Sequence, residues 1–208
     1  MKKLSVVLLL AASTVTYAQK SPLRFGIKAG GNLSHVGISN SDVSLGQLKN
    51  SWGPGFYAGG LLEISGPAGS KLKGQVEALY SFHTFKNTYT LSEFSTAQKS
   101  NLSQISVPVM VRYFPIPNLS FNAGASVNFN VASTTKINGV SFNHKDDAID
   151  DLQTVQVGAL VGATFYIYKG FFVDGRYNYY FGSVYKKDNS NDPAYRLSAI
   201  QVGLGYKF

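Results

Sequence analysis

The sequence predicts an all-β protein, an eight-stranded antiparallel transmembrane up-and-down β-barrel with both termini in the periplasm. Three observations support this fold class. Eight segments alternate apolar and polar residues with a period of two, and the connections between them are alternately long and short. Beyond the N-terminus no stretch approaches the roughly 20 apolar residues of a membrane helix. Any crossing of a bilayer must therefore use strands.

The composition of the 208-residue chain suits a single β-rich domain. It contains 13 Tyr, 14 Phe and 21 Gly but only 14% charged residues, a mixture that favours strands and tight turns. The chain has no cysteine, which excludes disulfides, thiolate zinc sites and cysteine nucleophiles. We therefore expect one closed sheet that is stabilised by its architecture.

The N-terminus is typical of a secretory signal peptide. Lys2 and Lys3 precede a short apolar run and the small residue Ala18, and the run is too short to span a bilayer as a helix. We expect residues 1–18 to be cleaved after export and residues 19–208 to form an outer-membrane β-barrel domain. Loss of the two lysines lowers the formal net charge from +8 to +6.

Each predicted strand has one cleanly apolar face. In the fifth, the odd-numbered residues from Leu119 to Val131 are all apolar, while the even-numbered residues from Ser120 to Asn130 are Ser, Asn or Gly. We expect the apolar faces to contact lipid and the polar faces to line the lumen. The eight predicted strands are 23–33, 55–65, 71–82, 102–114, 119–133, 154–168, 171–182 and 196–208.

The connections carry a second, independent signal. Outer-membrane barrels have short periplasmic turns and longer external loops, and the predicted connections follow that rule along the whole chain. The short ones are 66–70, 115–118 and the turn around 168–170, whereas the long ones are 34–54, 83–101, 134–153 and 183–195.

A secreted soluble barrel of the lipocalin or avidin type is the main structural alternative, since it would also have eight strands but would turn its apolar face inward. Two features argue against it. The polar face is rich in Gly, Ser and Asn and has few charges, and aromatic residues gather towards the ends of the apolar face, as in the girdles of membrane barrels. These aromatic residues are Phe25, Tyr113, Phe171, Tyr206 and Phe208 at one rim and Phe56, Phe82, Tyr179 and Phe181 near the other.

The last strand ends in a pattern that resembles the β-signal of bacterial outer-membrane proteins. It has a polar residue at Gln201, a glycine at Gly203, an aromatic residue at Tyr206 and a terminal Phe208. The unpaired backbone of an edge strand can be captured by β-augmentation, and its alternate side chains then supply recognition. We expect the barrel-assembly machinery to recognise these four residues during insertion.

Four segments, 25–34, 74–81, 171–179 and 203–208, carry a family resemblance in their order along the chain. Together they resemble the PorT-like outer membrane protein β-barrel domain family, the porin-like small barrels of Bacteroidota. The resemblance implies a barrel in the cell outer membrane. Only some members of that family are tied to protein secretion across this membrane, so the resemblance does not specify an activity.

The polar faces place a group of charged residues in the predicted lumen. Eight strands enclose an interior that side chains fill, so we expect these charges to form an ion-pair network. Basic residues outnumber acidic ones, and a narrow anion path is the alternative. The expected network comprises Arg24, Lys28, Glu63, Lys73, Glu77, Arg112, Asp174, Arg176 and Lys207.

No residue pattern indicates a metal or cofactor site. The three histidines, His35, His83 and His144, lie in or beside predicted long loops and lack metal-ligand spacing. The acidic run at 146–151 lacks the spacing of a calcium loop, so we interpret it as a solvated loop, with divalent-cation binding as the alternative. We predict no metal and no cofactor.

We also predict no catalytic residues. Small outer-membrane barrels include lipid A-modifying enzymes that use a Ser–His pair near the outer rim, and Ser81, His83 and Glu77 share the lumenal face of the third strand. A nucleophile needs a base within hydrogen-bond reach and a path for substrate. A lumenal pair would be poorly placed for a lipid outside the barrel.

These inferences predict a non-enzymatic integral outer-membrane protein, structural or partner-binding, with a side-chain-filled lumen. Its expected partners are outer-membrane lipid and lipopolysaccharide, the barrel-assembly machinery and a surface or secretion-associated protein, with no nucleic acid. A narrow solute or ion channel is the first alternative. A lipid A-modifying enzyme is the second.

Overall fold

The computed structural model of the chain describes residues 23–39, 47–91, 94–137, 140–143, 153–184 and 194–208. The predicted signal peptide, His144 and the acidic run at 146–151 lie outside the described residues. Within them no helix is long and apolar enough to span a bilayer.

The described part of the chain forms ten strands, all paired antiparallel. They are β1 (Leu23–Ser39), β2 (Gln47–Ser51), β3 (Gly53–Ser65), β4 (Leu72–Leu91), β5 (Phe94–Ile116), β6 (Leu119–Ile137), β7 (Val140–Asn143), β8 (Val155–Tyr168), β9 (Phe171–Phe181) and β10 (Ala194–Lys207).

Eight of these strands close into a barrel, which confirms the predicted eight-stranded antiparallel fold, while the periplasmic location of both termini stays a prediction. The order around the wall is β1-β3-β4-β5-β6-β8-β9-β10, and the remaining strands β2 and β7 pair outside this circuit. The seam between β1 and β10 runs from Gly26 opposite Lys207 to Ser39 opposite Ala194, so the first and last strands close the sheet. Each wall strand therefore pairs with its neighbours along the chain, as in an up-and-down barrel.

The short turns lie together at one end of the barrel, called here the short-turn end, and the opposite end is the long-loop end. In the turn between β8 and β9, Lys169 and Gly170 have φ values of 33° and 93°. A left-handed backbone conformation at both central residues of a two-residue turn matches the twist of the two strands that the turn joins. At this end the observed strand limits agree with the predicted ones to within two residues.

The apolar face of the sheet lies on the outside of the barrel. Ile27, Val161 and Leu204 are 58%, 57% and 64% exposed, although all three are aliphatic. Polar residues of the opposite parity, such as Asn32 and Gln104, are buried inside. Because aliphatic side chains on so many strands would be unfavourable in water, this outer surface suits contact with acyl chains.

Aromatic residues border the aliphatic outer belt. At the short-turn end the ring of Tyr206 lies 4.6 Å from that of Phe171, and nearer the long-loop end Tyr179 packs on Phe181 at 5.5 Å. Phe171 and Phe181 stand at the two ends of β9. Ten residue steps along a tilted strand rise by roughly 25 Å, which matches the apolar band of an outer-membrane barrel.

The prediction of a long connection at residues 83–101 is wrong, because most of these residues continue strands β4 and β5. β4 and β5 pair beyond the belt as far as Leu91 opposite Phe94. Threonine and tyrosine give this segment high strand propensity, but beyond the lipid no apolar stripe is needed and the alternation that marks a wall strand stops.

Two other predicted long connections are also partly strand. Residues 34–54 contain the end of β1 and all of β2, while 134–153 contains the end of β6 and all of β7. In the fourth, 183–195, residues 185–193 lie outside the described residues and β10 begins at Ala194.

These continuations extend the same sheet beyond one side of the barrel wall, and we call the extended part the extension sheet. Its strand order is β2-β4-β5-β6-β7. A register shift sets Ser103 opposite Ala132 but Gln104 opposite Asn130, which leaves Val131 as an extra residue on β6. A bulge bends its strand and increases its twist. The bulge therefore marks the boundary between the barrel wall and the extension sheet.

Candidate functional site in the barrel lumen

Glu63 lies at the short-turn end of the lumen and contacts three cations. Its carboxylate accepts hydrogen bonds from Lys73 Nζ at 3.0 Å, from Arg112 Nη1 at 2.8 Å and from Lys207 Nζ. Glu63, Arg112 and Lys207 are buried, whereas the Lys73 side chain is 23% exposed. We call these four residues the mouth cluster. It holds three positive charges and one negative charge.

Arg112 anchors the mouth cluster to the wall. Besides Glu63, its guanidinium donates to Asn122 Oδ1 at 3.0 Å, to Ser120 Oγ at 2.6 Å and to the Tyr166 hydroxyl at 2.8 Å. Such a planar group offers five N–H donors in a fixed geometry. Gln75 on β4 accepts a further hydrogen bond. The partners therefore come from β3, β4, β6 and β8, so Arg112 ties four strands other than its own together.

A second group of charges lies deeper in the lumen. Arg176 donates two parallel hydrogen bonds of 2.9 Å to Glu77 and a third of 2.9 Å to Asp174 Oδ1. Lys28 Nζ contacts Asp174 and, at 3.4 Å, Glu77. We call these four residues the mid-lumen cluster. Two cations face two carboxylates, and all four side chains are at most 4% exposed.

Neutral amides connect the two clusters. Gln75 donates to Glu77 at 2.6 Å and accepts from Arg112 at 2.9 Å. Asn122 donates to Thr164 at 2.9 Å, and the Thr164 hydroxyl donates to Asp174 at 3.0 Å. The result is one continuous hydrogen-bonded network across the lumen. Because its polar groups satisfy one another, burial of its charges is tolerated.

The structure brings together eight of the nine charged residues that the sequence places in the lumen, namely all except Arg24. Arg24 is exposed, stands opposite Glu63 in the ladder, and lines a cavity at the short-turn mouth. Parity predicted which face each residue occupies. It could not predict which cation pairs with which carboxylate, since the partners lie on strands far apart in sequence.

Above the mid-lumen cluster the interior narrows to a cavity of about 10 Å³ beside Ser81, Asn178 and Gln201. That volume suits one water molecule. The Ser81 hydroxyl and the Asn178 side-chain nitrogen are buried here without a hydrogen-bond partner among the described residues.

At the long-loop end an apolar cluster closes the lumen. All its members are at most 3% exposed, and we call it the apolar cap. The sequence pattern does not predict the apolar cap, because the cap lies where the alternating pattern of the wall weakens. One feature of the sequence could have predicted it: Leu102 is apolar, yet it lies on the same lumen-facing side of its strand as Gln104. The apolar cap comprises Val36, Phe85, Leu102, Tyr180, Val184, Leu197 and Ala199.

The Ser–His pair considered for an enzyme does not form between Ser81 and His83. Instead the Ser34 hydroxyl lies 2.7 Å from His83 Nδ1 and 3.1 Å from Asn32 Oδ1. His83 is 0% exposed and sits against the ring of Tyr180 in the apolar cap. This Ser34–His83 pair lies beneath packed side chains, where the described residues leave no path for a lipid substrate.

Comparison with protein families identifies the chain's relatives. Residues 17–186 match the family described as "Outer membrane protein beta-barrel domain". The chain belongs to this family. A search of curated proteins found no match.

Solved structures of small outer-membrane barrels resemble this family member in fold. Neisserial surface protein A (NspA) superposes with a TM-score of 0.55 at 16% identity, covering 88% of this chain and 97% of that chain. Ail, the attachment invasion locus protein of Yersinia pestis, solved with the heparin analogue sucrose octasulfate, gives 0.49 at 14% identity, with coverages of 89% and 99%. At 16% identity, the likeness to NspA supports the fold alone. Family and fold together identify an outer membrane barrel protein, while the PorT-like branch and signal-peptide cleavage stay predictions.

In this family member the four residues of the predicted assembly signal occupy both faces of β10. Gln201 and Gly203 face the lumen, whereas Tyr206 and Phe208 lie on the outer face with ring centroids 5.2 Å apart. A Cβ atom at Gly203 would collide with the Tyr57 hydroxyl. The glycine is therefore explained by packing as well, and recognition by the assembly machinery stays a prediction.

Proposed function

We propose that this outer membrane barrel is a non-enzymatic, partner-binding protein whose lumen is a scaffold and whose long-loop end carries the binding surface. The observation that carries the proposal is the extension sheet. Five strands rise above one side of the wall, and its two outer strands, β2 and β7, each pair on one side only among the described residues.

An unpaired strand edge is a recognition surface of known chemistry. Its free N–H and C=O groups can pair with an extended segment of another protein, and neighbouring side chains then supply specificity. If both termini lie in the periplasm, as in other barrels of this class, the extension sheet faces the cell exterior. The proposed partner is thus an extended segment of a surface or secreted protein, in keeping with a PorT-like member.

The filled lumen supports a scaffold role over conduction. From one end to the other it contains the mouth cluster, the mid-lumen cluster, the cavity of about 10 Å³ and the apolar cap. Eight-stranded barrels enclose just enough space for side chains, whereas open pores need about sixteen strands. The network then serves to hold the wall rigid beneath the extension sheet.

Photo-crosslinking in the producing cells tests the binding surface. A benzoyl-phenylalanine at Gln98, within the extension sheet, should yield a discrete protein adduct, while the same probe at the lipid-facing Val127 should not. A variant in which Asn-Gly replaces residues 87–98 shortens the β4–β5 hairpin between Lys86 and Lys99, which are paired. Because β2 pairs with residues 86–90 of β4, this variant removes the partner of the β2 edge. With the barrel still heat-modifiable, an adduct at a probe on β2 that persists in this variant would count against the extension sheet as the site.

Planar-bilayer recording distinguishes the scaffold from the narrow-channel alternative. The purified barrel should give no reproducible conductance above the bilayer background. A selective, reproducible conductance would refute the scaffold. For the enzyme alternative, lipid A mass spectra from cells carrying Ser81→Ala or His83→Ala should equal those of wild type, and a spectrum that changes would show activity.

A further inference from the structure

The two charged clusters of the lumen differ in balance. The mid-lumen cluster pairs Lys28 and Arg176 with two carboxylates, whereas the mouth cluster sets three cations around Glu63 alone. Two further basic residues, Arg24 and Lys169, line the same mouth. Among the described side chains, those at the short-turn mouth therefore carry more positive than negative charge.

This surplus surrounds a cavity of about 730 Å³ that opens at the short-turn end. We call it the basic vestibule and define it by five of the residues that line it around Glu63, namely Arg24, Lys73, Tyr166, Lys169 and Lys207. Its size far exceeds that of one water molecule and leaves room for a small solute.

Two groups in the basic vestibule have donors to spare. Lys73 Nζ makes one hydrogen bond, to Glu63, among the described residues, although an ammonium has three donors. The Tyr166 hydroxyl accepts from Arg112 at 2.8 Å and from Lys207 at 2.6 Å. A hydroxyl that accepts twice still has its own proton to donate, and the described residues supply no acceptor for it.

Aromatic rings hold these cations in place. Lys73 Nζ lies 4.8 Å from the centre of the Phe114 ring, and the Arg112 guanidinium lies 5.2 Å from the same ring. Lys207 Nζ lies 5.3 Å from the ring of Tyr166. The cations are thus ordered before any ligand arrives, which lowers the entropic cost of binding.

We propose that the basic vestibule binds a small oxyanion, a phosphate or carboxylate group. Such a group accepts the free donors of Lys73 and Tyr166, while Arg24 and Lys169 contribute charge at the rim. Charge-assisted hydrogen bonds of this kind are about twice as strong as neutral ones, and a partly enclosed site screens them less than bulk water does. Glu63 does not prevent binding, because its charge is already more than matched by three cations.

Phosphate titration of the purified, folded barrel in a non-ionic detergent tests the proposal. Phosphorus NMR line widths or calorimetry should show saturable binding of inorganic phosphate at constant ionic strength, set with chloride. Lys73→Gln and Tyr166→Phe should each weaken binding about tenfold, the loss expected for one charge-assisted hydrogen bond. Arg24→Gln, at an exposed position on the rim, should weaken it by a smaller factor.

Lys99→Gln is the matched control, because Lys99 is an exposed lysine towards the long-loop end. It should leave phosphate binding unchanged. A parallel titration with acetate distinguishes a phosphate site from a carboxylate site. Saturable binding of phosphate alone, of acetate alone or of both would each support an oxyanion site and would show which group it binds. No saturable binding of either, or an equal loss in Lys99→Gln and Arg24→Gln with all variants heat-modifiable, would overturn it.

Discussion

Arg176 binds Glu77 across the lumen through two parallel hydrogen bonds, Nη1 to Oε2 and Nη2 to Oε1, each 2.9 Å long. The two residues are 99 positions apart in the sequence. This pair joins β4 to β9 through the middle of the barrel.

Removing one partner of this pair should destabilise the barrel strongly. Glu77→Ala leaves Arg176 and Lys28 with Asp174 as their only carboxylate, and an unpaired buried charge costs about 3–5 kcal/mol. Urea-induced unfolding in lipid vesicles, followed by the fluorescence of the single tryptophan, Trp52, measures the loss.

The double variant Glu77→Leu with Arg176→Met is the control. It removes one charge of each sign and leaves Lys28 paired with Asp174, so it should cost less than Glu77→Ala alone. Equal losses in the single and double variants would mean that charge pairing does not set the stability of this region.

The apolar cap provides a second test of the filled lumen. Leu102 is 0% exposed and packs inside the cap, so Leu102→Ala should destabilise by about 2–5 kcal/mol through the cavity it leaves. Ile105 lies on the outer face of the same strand and is 44% exposed. Ile105→Ala should cost less, because lipid chains can fill the space. The same unfolding assay applies, and a larger loss at Ile105 would mean that the cap is not a packed core.

The sequence was sufficient to predict the wall of the barrel. An alternating strand such as β6 has only one way to place Val127 in lipid and Asn128 inside, and the short turns fix where strands begin and end. The bilayer imposes this regularity, so the prediction is most accurate within the apolar belt and at the short-turn end.

Beyond the belt, alternation of apolar and polar residues no longer predicts where the strands end. Residues 83–101 continue as paired strands, yet they have no lipid-facing stripe to reveal it. Inside the lumen, parity placed His83 correctly but suggested Ser81 as its partner, whereas the structure pairs it with Ser34 on β1. Contacts across the lumen depend on the barrel's register and side-chain reach, which one-dimensional periodicity does not contain.

A charged side chain on the outer face should lower the stability of the barrel more the deeper it lies in the bilayer. Val127 stands between Val107 and Val157 in the middle of the belt and is 41% exposed. Val127→Arg should destabilise by about 2–4 kcal/mol, the penalty for arginine at the bilayer midplane. Ile116→Arg, at the short-turn end, should cost about 0–1 kcal/mol. Unfolding in vesicles compares the two, and equal penalties would contradict the assignment of the outer face to lipid.

Phe208 should matter for assembly in the cell more than for the stability of the folded barrel. Its backbone N–H donates to Phe25 O at 2.9 Å, and its side chain is 45% exposed on the outer face beside Tyr206. Because this ring fills no core position, Phe208→Ala should leave refolding of the purified chain into vesicles nearly unchanged. If the assembly machinery recognises the terminal aromatic, the same variant should accumulate less heat-modifiable barrel in cells.

Ile116→Ala is the matched control for Phe208→Ala, since Ile116 is an exposed apolar residue at the same end of the barrel. It should behave like wild type in both assays. Gel mobility of unheated samples gives the folded fraction in cells and in vesicles. If Phe208→Ala lowers the folded fraction equally in cells and in vesicles, Phe208 contributes to the stability of the barrel and not specifically to its assembly. Wild-type levels in both would remove the β-signal interpretation, because capture of the β10 edge would then proceed without the side chain thought to direct it.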